Sequence, residues 1–268
     1  MTEQPGKRLS TEPARFSRRR FLVRGLAGSA IAATGVVVGG GAVLAIDPRP
    51  LRGRSGFNRM ARGIYDRHWA QTSETVRSLR ARYQAPVFGH VRMWDLIEKL
   101  ALCVDPTDRT LYCTNQFLHV QQILEAMEED GISDNDLILA ALTHDLGKVA
   151  LLTDEVPENI VCSIRPVGEY GEGAGLDNIL CNFGHDEIAY TRIKDHVPDS
   201  VAWLTRYHSM DPRWMRPYLD SRDRGYYEKY LTFKEYDQGT KSAASLPQID
   251  LQKYRALIEE TFPSPILF

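Results

Sequence analysis

The sequence predicts an all-α domain, a helical bundle with one small non-helical insertion. Two observations carry that prediction. From residue 60 onward, apolar residues recur three and four positions apart in stretch after stretch, the period of helices with one buried face. Pro157, Pro166 and several glycines are gathered between Val156 and Leu176, which confines irregular backbone to one segment. A chain of 268 residues that is 43% hydrophobic and 25% charged is large enough for one sizeable core.

The elements follow in order. Met60 to Tyr83 reads as helix with Tyr65, Trp69, Thr72, Val76 and Leu79 on one side. Met93 to Val104 carries Trp94, Ile97, Leu100 and Ala101 on one face, and Asn115 to Met127 carries Gln116, His119, Val120, Ile123 and Met127. The next helix starts at Ser133, with Asp136 as a capping box, and its apolar run Leu137, Ile138, Ala140, Ala141 and Leu142 leads to His144-Asp145. Gly147 offers a left-handed residue at which that helix can stop. The insertion has room for one short strand, Ile160 to Ile164. Helices resume near Leu176, at Gly184 to Asp195, Asp199 to His208, Tyr226 to Tyr236 and Asp250 to Thr261.

Charge divides the chain. Residues 1–60 hold eleven Lys/Arg against three Asp/Glu, and the rest holds 22 against 32. The acidic remainder argues against a nucleic-acid partner. The basic end contains Ser17-Arg18-Arg19-Arg20-Phe21-Leu22, a twin-arginine signal pattern, followed by an uncharged run from Gly25 to Ile46. Val43-Leu44-Ala45 suits a signal peptidase, and an uncleaved run of this length can anchor a chain in a bilayer. The expected organisation is a signal or anchor over 1–46, a linker over 47–60 and the folded domain over 61–268. The expected partner is the twin-arginine export machinery, the expected location the periplasm, and the membrane is met only through the amino-terminal segment. Cys103, Cys113, Cys162 and Cys181 form no CxxC pair, so a zinc knuckle is not expected; buried thiols and one or two disulfides both remain open.

Four of the seven histidines occupy helix positions able to face one centre. His119 lies on an apolar face, His144 falls three, four and seven residues after Ala141, Ala140 and Leu137, His185 opens a helix and His208 closes one. Asp145 follows His144 at once, and Asp237 ends the face of Tyr227, Tyr230, Phe233 and Lys234. A buried imidazole beside a buried carboxylate is costly unless a cation satisfies both, and helical bundles build di-metal sites from such inward-facing groups. His68, His90 and His196 read as structural.

The order His119, His144-Asp145, Asp237 is similar to the signature of the HD-domain superfamily. Asn115 to His119, Leu142 to Lys148, Arg165 to Gly168, Gly175 to Leu180, Gly184 to Glu187, Arg206 to Ser209 and Phe233 to Lys241 together resemble inositol oxygenase, from about Tyr65 to the carboxy terminus. The resemblance implies an HD-domain-like bundle around a dinuclear centre of two iron ions in mixed valence. His119, His144, Asp145 and Asp237 would hold one iron, and His185 and His208 the other, with Asp145 bridging. Lys148, Ser209, Lys241 and Asp105 would hold a small polyol, Asp145 and Lys148 would serve the chemistry, and O2 would be the co-substrate in opening the ring of myo-inositol or a related polyol to a uronic acid. The stretch between Lys148 and His185 departs from the animal and plant enzymes, which implies a different cover over the substrate. A metal-dependent phosphohydrolase uses similar HD-type ligands and is the alternative.

Overall fold

Capping chemistry, more than apolar periodicity, decides where these helices begin and end. The computed structural model of the chain describes residues 54–108, 111, 115–161 and 163–268. Among them are ten α-helices: α1 Arg54–Trp69, α2 Ser73–Arg82, α3 Met93–Lys99, α4 Gln116–Glu129, α5 Asn135–Thr143, α6 His185–Ile193, α7 Asp199–Tyr207, α8 Pro212–Met215, α9 Ser221–Gly239 and α10 Arg255–Thr261. The all-α expectation therefore holds. The signal motif, the run to Ile46 and residues 47–53 lie outside the described residues, and no described helix is long and apolar enough to cross a membrane.

Several boundaries differ from the sequence reading. The helix expected over Met60 to Tyr83 is two, because the Thr72 hydroxyl caps α2 by accepting from the Thr75 amide at 3.2 Å. α1 begins at Arg54, inside the stretch read as linker, and buries Ala61, Ile64 and His68 instead of the Tyr65–Trp69 side. α5 is capped by Asp134, not Ser133: the Asp134 carboxylate accepts from the Asp136 amide at 2.8 Å. α9 starts at Ser221, earlier than Tyr226, through a reciprocal capping box between Asp220 and Asp223. Its polar opening, Arg222-Asp223-Arg224, hides it from a search for apolar period. The last predicted helix divides into a 3₁₀ turn, Leu251–Tyr254, and α10. Among the described residues the stretch from Ile160 to Ile164 shows no strand, and one bridge, Pro166 to Cys181, ties the insertion together. His90, read as structural, sits in β1 (His90–Val91), which pairs antiparallel with β2 (Ile266–Leu267) and draws the fully buried Phe268 onto the domain.

α4, α5, α7 and α9 pack against one another, and α6 packs on α7 and on the 3₁₀ segment Leu146–Leu152. Trp203, Tyr230, Phe233 and Leu124 are fully buried among them, each such side chain contributing about 1.5–3 kcal/mol by leaving water. Arg206 locks α6 to α7 through a two-pronged pair with Glu187 (2.9 and 3.1 Å) and a third bond to Asp177 at 2.7 Å. Cys103 and Cys181 are buried free thiols, and Cys113 and Cys162 lie outside the described residues.

Candidate metal centre

All six predicted ligand residues meet at one end of the bundle. His119 comes from the first turn of α4, His144 caps the end of α5, His185 opens α6, His208 caps the end of α7, and Asp237 lies in the last turn of α9. Asp145 follows its helix directly. α5 and α7 present their imidazoles in the same way: the chain stays in right-handed helical conformation at His144 and His208, and each Nδ1 donates to the carbonyl three residues back, Ala141 at 3.1 Å and Thr205 at 3.0 Å. His185 Nδ1 donates to the Ile160 carbonyl at 2.8 Å.

Those bonds fix the tautomers. In the neutral ring, the form that binds a metal, a proton on Nδ1 leaves Nε2 of His144, His185 and His208 with a bare lone pair. The three lone pairs point at carboxylates and at each other: His144 Nε2 is 3.3 Å from Asp145 Oδ2, His185 and His208 Nε2 are 3.3 and 3.6 Å from Asp145 Oδ1, and the two Nε2 atoms are 3.2 Å apart. His119 Nε2 lies 3.0 Å from Asp237 Oδ1, which is also 3.9 Å from His144 Nε2. Fully buried His144 Nε2 has no hydrogen-bond partner among the described residues. Lone pair against lone pair in a dry site is repulsive, and cations placed between them turn every contact attractive. The donor set therefore fits metal ions. It also divides in two, with His119, His144 and Asp237 on one side, His185 and His208 on the other, and Asp145 offering one oxygen to each.

The residues expected to hold substrate line a single cavity of about 1000 Å³ that reaches Asp145, His185, His208 and Asp237. Lys148 and Lys241 are not solvated surface ammoniums. Lys148 is 3% exposed and pairs with Asp105 and Asp145, both at 3.1 Å. Lys241 lies 3.3 Å from Asp108 and 3.5 Å from Asp237. Burial pushes the Asp145 and Asp237 carboxyls up, but Lys148 beside the first and Lys241 beside the second hold both well below the usual carboxylate range. Burial also pushes the Lys148 ammonium down; Asp145, Asp105 and Asp108 overcome it and keep the charge on. Ser209 lines the cavity too, its hydroxyl accepting from the Ile164 amide at 3.2 Å.

The chain matches a known family over most of its length. The family described as myo-inositol oxygenase matches residues 58–162 and 157–268. The chain belongs to the myo-inositol oxygenase family. Among its relatives are the Oryza sativa protein named "Probable inositol oxygenase", 29% identical over 74% of this chain and 77% of its own length, and inositol oxygenase 1 of Arabidopsis thaliana, 28% identical over 74% and 76%. Inositol oxygenase of Homo sapiens is 24% identical over 81% of this chain and 93% of its own.

Within this family member, sequence reasoning missed four residues at the centre. Asp186 lies behind both histidines of the second group, with Oδ1 3.2 Å from His208 Nδ1 and Oδ2 3.6 Å from His185 Nδ1. Its place beside His185 was the available signal. Gln116 is fully buried and accepts from Lys148 Nζ at 3.0 Å. Lys234 donates to the His208 carbonyl at 2.6 Å, and burial lowers its ammonium's pKa. Gly147, read as a helix stop, does not adopt the left-handed conformation. It sits in the 3₁₀ segment, where a Cβ would come 2.0 Å from the His185 carbonyl oxygen. The glycine is there so that α6 can approach closely enough to bring His185 to Asp145.

Proposed function

We propose that this chain is a di-iron oxygenase of HD-domain type that uses O2 to open the ring of myo-inositol or a closely related polyol, giving a uronic acid such as glucuronate. The observation that carries the reading is the division of the donors. Each side of the centre has two imidazoles and a share of Asp145, the first side has Asp237 besides, and no thiolate is among them, a donor set that suits non-haem iron. His119, His144, Asp145 and Asp237 would hold one iron, and His185, His208 and the other oxygen of Asp145 the second. When bound, the pair supplies one-electron redox steps toward O2 and Lewis acidity toward vicinal hydroxyls.

The chain's own residues do the rest. Lys148 and Lys241 keep positive charge at the inner wall of the cavity, where it offsets the charge of a deprotonated substrate hydroxyl in a water-poor site. Asp105 accepts from Thr107 through one oxygen, at 2.7 Å from its amide, and holds Lys148 with the other, so both groups are in place before substrate arrives. Ser209 and Lys234 stand at the same wall to meet further hydroxyls. The amino-terminal Arg18-Arg19 pair sends the chain through the twin-arginine machinery to the periplasm, a route that carries chains already folded around their metal.

The test is oxygen uptake and uronate formation by iron-loaded, reduced protein supplied with myo-inositol, with iron counted per chain. Two irons and uronate are expected. Absence of turnover with every cyclitol, together with phosphoester hydrolysis under manganese or magnesium without oxygen, would replace this reading with a phosphohydrolase. Replacing Arg18 and Arg19 by lysine is expected to leave the protein in the cytoplasmic fraction.

A further inference from the structure

The cavity is larger than a lone cyclitol requires. About 1000 Å³ is the upper end of the range for pockets that hold drug-sized ligands, roughly 300–1000 Å³, and a six-carbon ring is far smaller than those. The groups assigned to the reacting ring all stand at the inner wall. The outer wall is a stripe along α1: Arg62, Tyr65, Asp66 and Trp69 fall at helical spacing and face the same cavity.

The chemistry of that stripe is specific. Tyr65 and Trp69 lie with ring centroids 4.8 Å apart. The Trp69 ring is held in place from two directions, its Nε1 donating to the Ser163 carbonyl at 3.0 Å and the Arg165 guanidinium lying 3.7 Å from its centre. Aromatic rings attract the polarised C–H groups of a sugar ring through their negative faces, and with Arg165 over one face of Trp69 that attraction falls to the ring surface the guanidinium leaves. Arg62 and Asp66 beside them supply donors and acceptors for hydroxyls. The signs are mixed: Arg62 and Asp66 stand one turn apart on the stripe and Asp211 lines the same cavity, so the α1 wall does not form the cationic patch that a phosphate would seek.

Resting on the reading above, we propose that this outer wall is a second subsite for a neutral sugar ring, and that the substrate is a cyclitol carrying a glycosyl substituent. The cyclitol sits at the metal centre and the attached sugar lies along α1 between Tyr65 and Asp66.

The test is calorimetric binding to the iron-loaded full-length protein without oxygen, using myo-inositol, a galactosyl-O-myo-inositol and a myo-inositol monophosphate, followed by oxygen uptake with each. The galactosyl conjugate is expected to bind at least about tenfold tighter than myo-inositol, since a subsite worth about 1.4 kcal/mol gives that factor. The double variant R62A/D66A, at two exposed positions, is expected to lose that advantage while binding myo-inositol within about twofold of the parent. Equal or weaker binding of the conjugate beside firm binding of myo-inositol overturns the subsite and leaves the cyclitol reading standing. Preference for the monophosphate overturns the neutral-sugar assignment. Failure of all three to bind overturns the cyclitol reading along with it.

Discussion

The two halves of the centre use the same donors and differ in what surrounds them. His119 and His144 are fully buried, away from the cavity, in apolar packing that includes Phe233 against the His144 ring. His185 and His208 line the cavity wall and have the Asp186 carboxylate behind their Nδ1 atoms. The imidazoles of one half are sealed from the cavity and those of the other line it, while Asp237 and Asp145 reach it from both. In the proposed chemistry, the sealed half is the holding site and the open half is where exchangeable molecules arrive. A carboxylate so placed would strengthen the two imidazoles as metal donors on the side that meets the cavity.

The variant that erases the distinction has the largest expected effect. Asp145 serves both halves, with Oδ2 toward His144 and Oδ1 toward His185 and His208. Asp145→Ala is expected to reduce metal from two ions per chain to close to none and to abolish oxygen uptake. Plasma emission analysis of the purified variant decides it: a full metal complement would remove Asp145 from the bridge.

Next comes Lys148→Met, which keeps the length and removes the charge. It leaves Asp145 and Asp105 without their shared cation and Gln116 without its donor. Metal content should hold at two while kcat falls about 10²–10³-fold, as for loss of one preorganised electrostatic group. A tenfold rise in KM with kcat unchanged would place Lys148 in substrate holding alone.

Gly147→Ala separates the halves by distance. The added methyl must displace the His185 backbone, which it would meet at 2.0 Å. Overpacking of this kind costs about 1–3 kcal/mol, and the nearest atoms it strikes all belong to the His185 backbone. Thermal melts and metal counts should show a less stable chain holding one ion, not two; two ions with unchanged melting would mean that α6 slides freely.

How much of this was legible beforehand depends on the kind of residue. The six candidate donors were readable together and not singly: one histidine or aspartate on a helix face is most often ordinary core or surface, but four imidazoles and two carboxylates able to face one centre are costly without a cation, and the family resemblance sorted them into two groups. The helix ends were less so: Asp134 and Asp220 win their caps through side-chain geometry, and Ser133 looked equally good in one dimension. The division of Met60–Tyr83 rests on one threonine hydroxyl. The two-residue strands were illegible, since β1 depends on a partner more than 170 residues away. Gly147 was noticed for the wrong property. Its value lies in what a Cβ would strike, and that becomes visible once α6 is packed against it.

Asp186 gives the finest test of sealed against open. The sealed half has only the Ala141 carbonyl behind His144, and His119 Nδ1 has no hydrogen-bond partner among the described residues. Asp186→Asn keeps the shape and an acceptor for the Ser209 amide, now bonded at 3.3 Å, but removes the charge facing His185 and His208. Loss of such a partner typically weakens metal binding about 10–100-fold, and here the loss should be confined to one ion. A chelator titration should show the tight step unchanged and the weaker step moved by that factor. Equal weakening of both steps would mean that Asp186 supports the packing of α6 and α7 as a whole, because the sealed imidazoles lie beyond its reach and could lose affinity only through the fold.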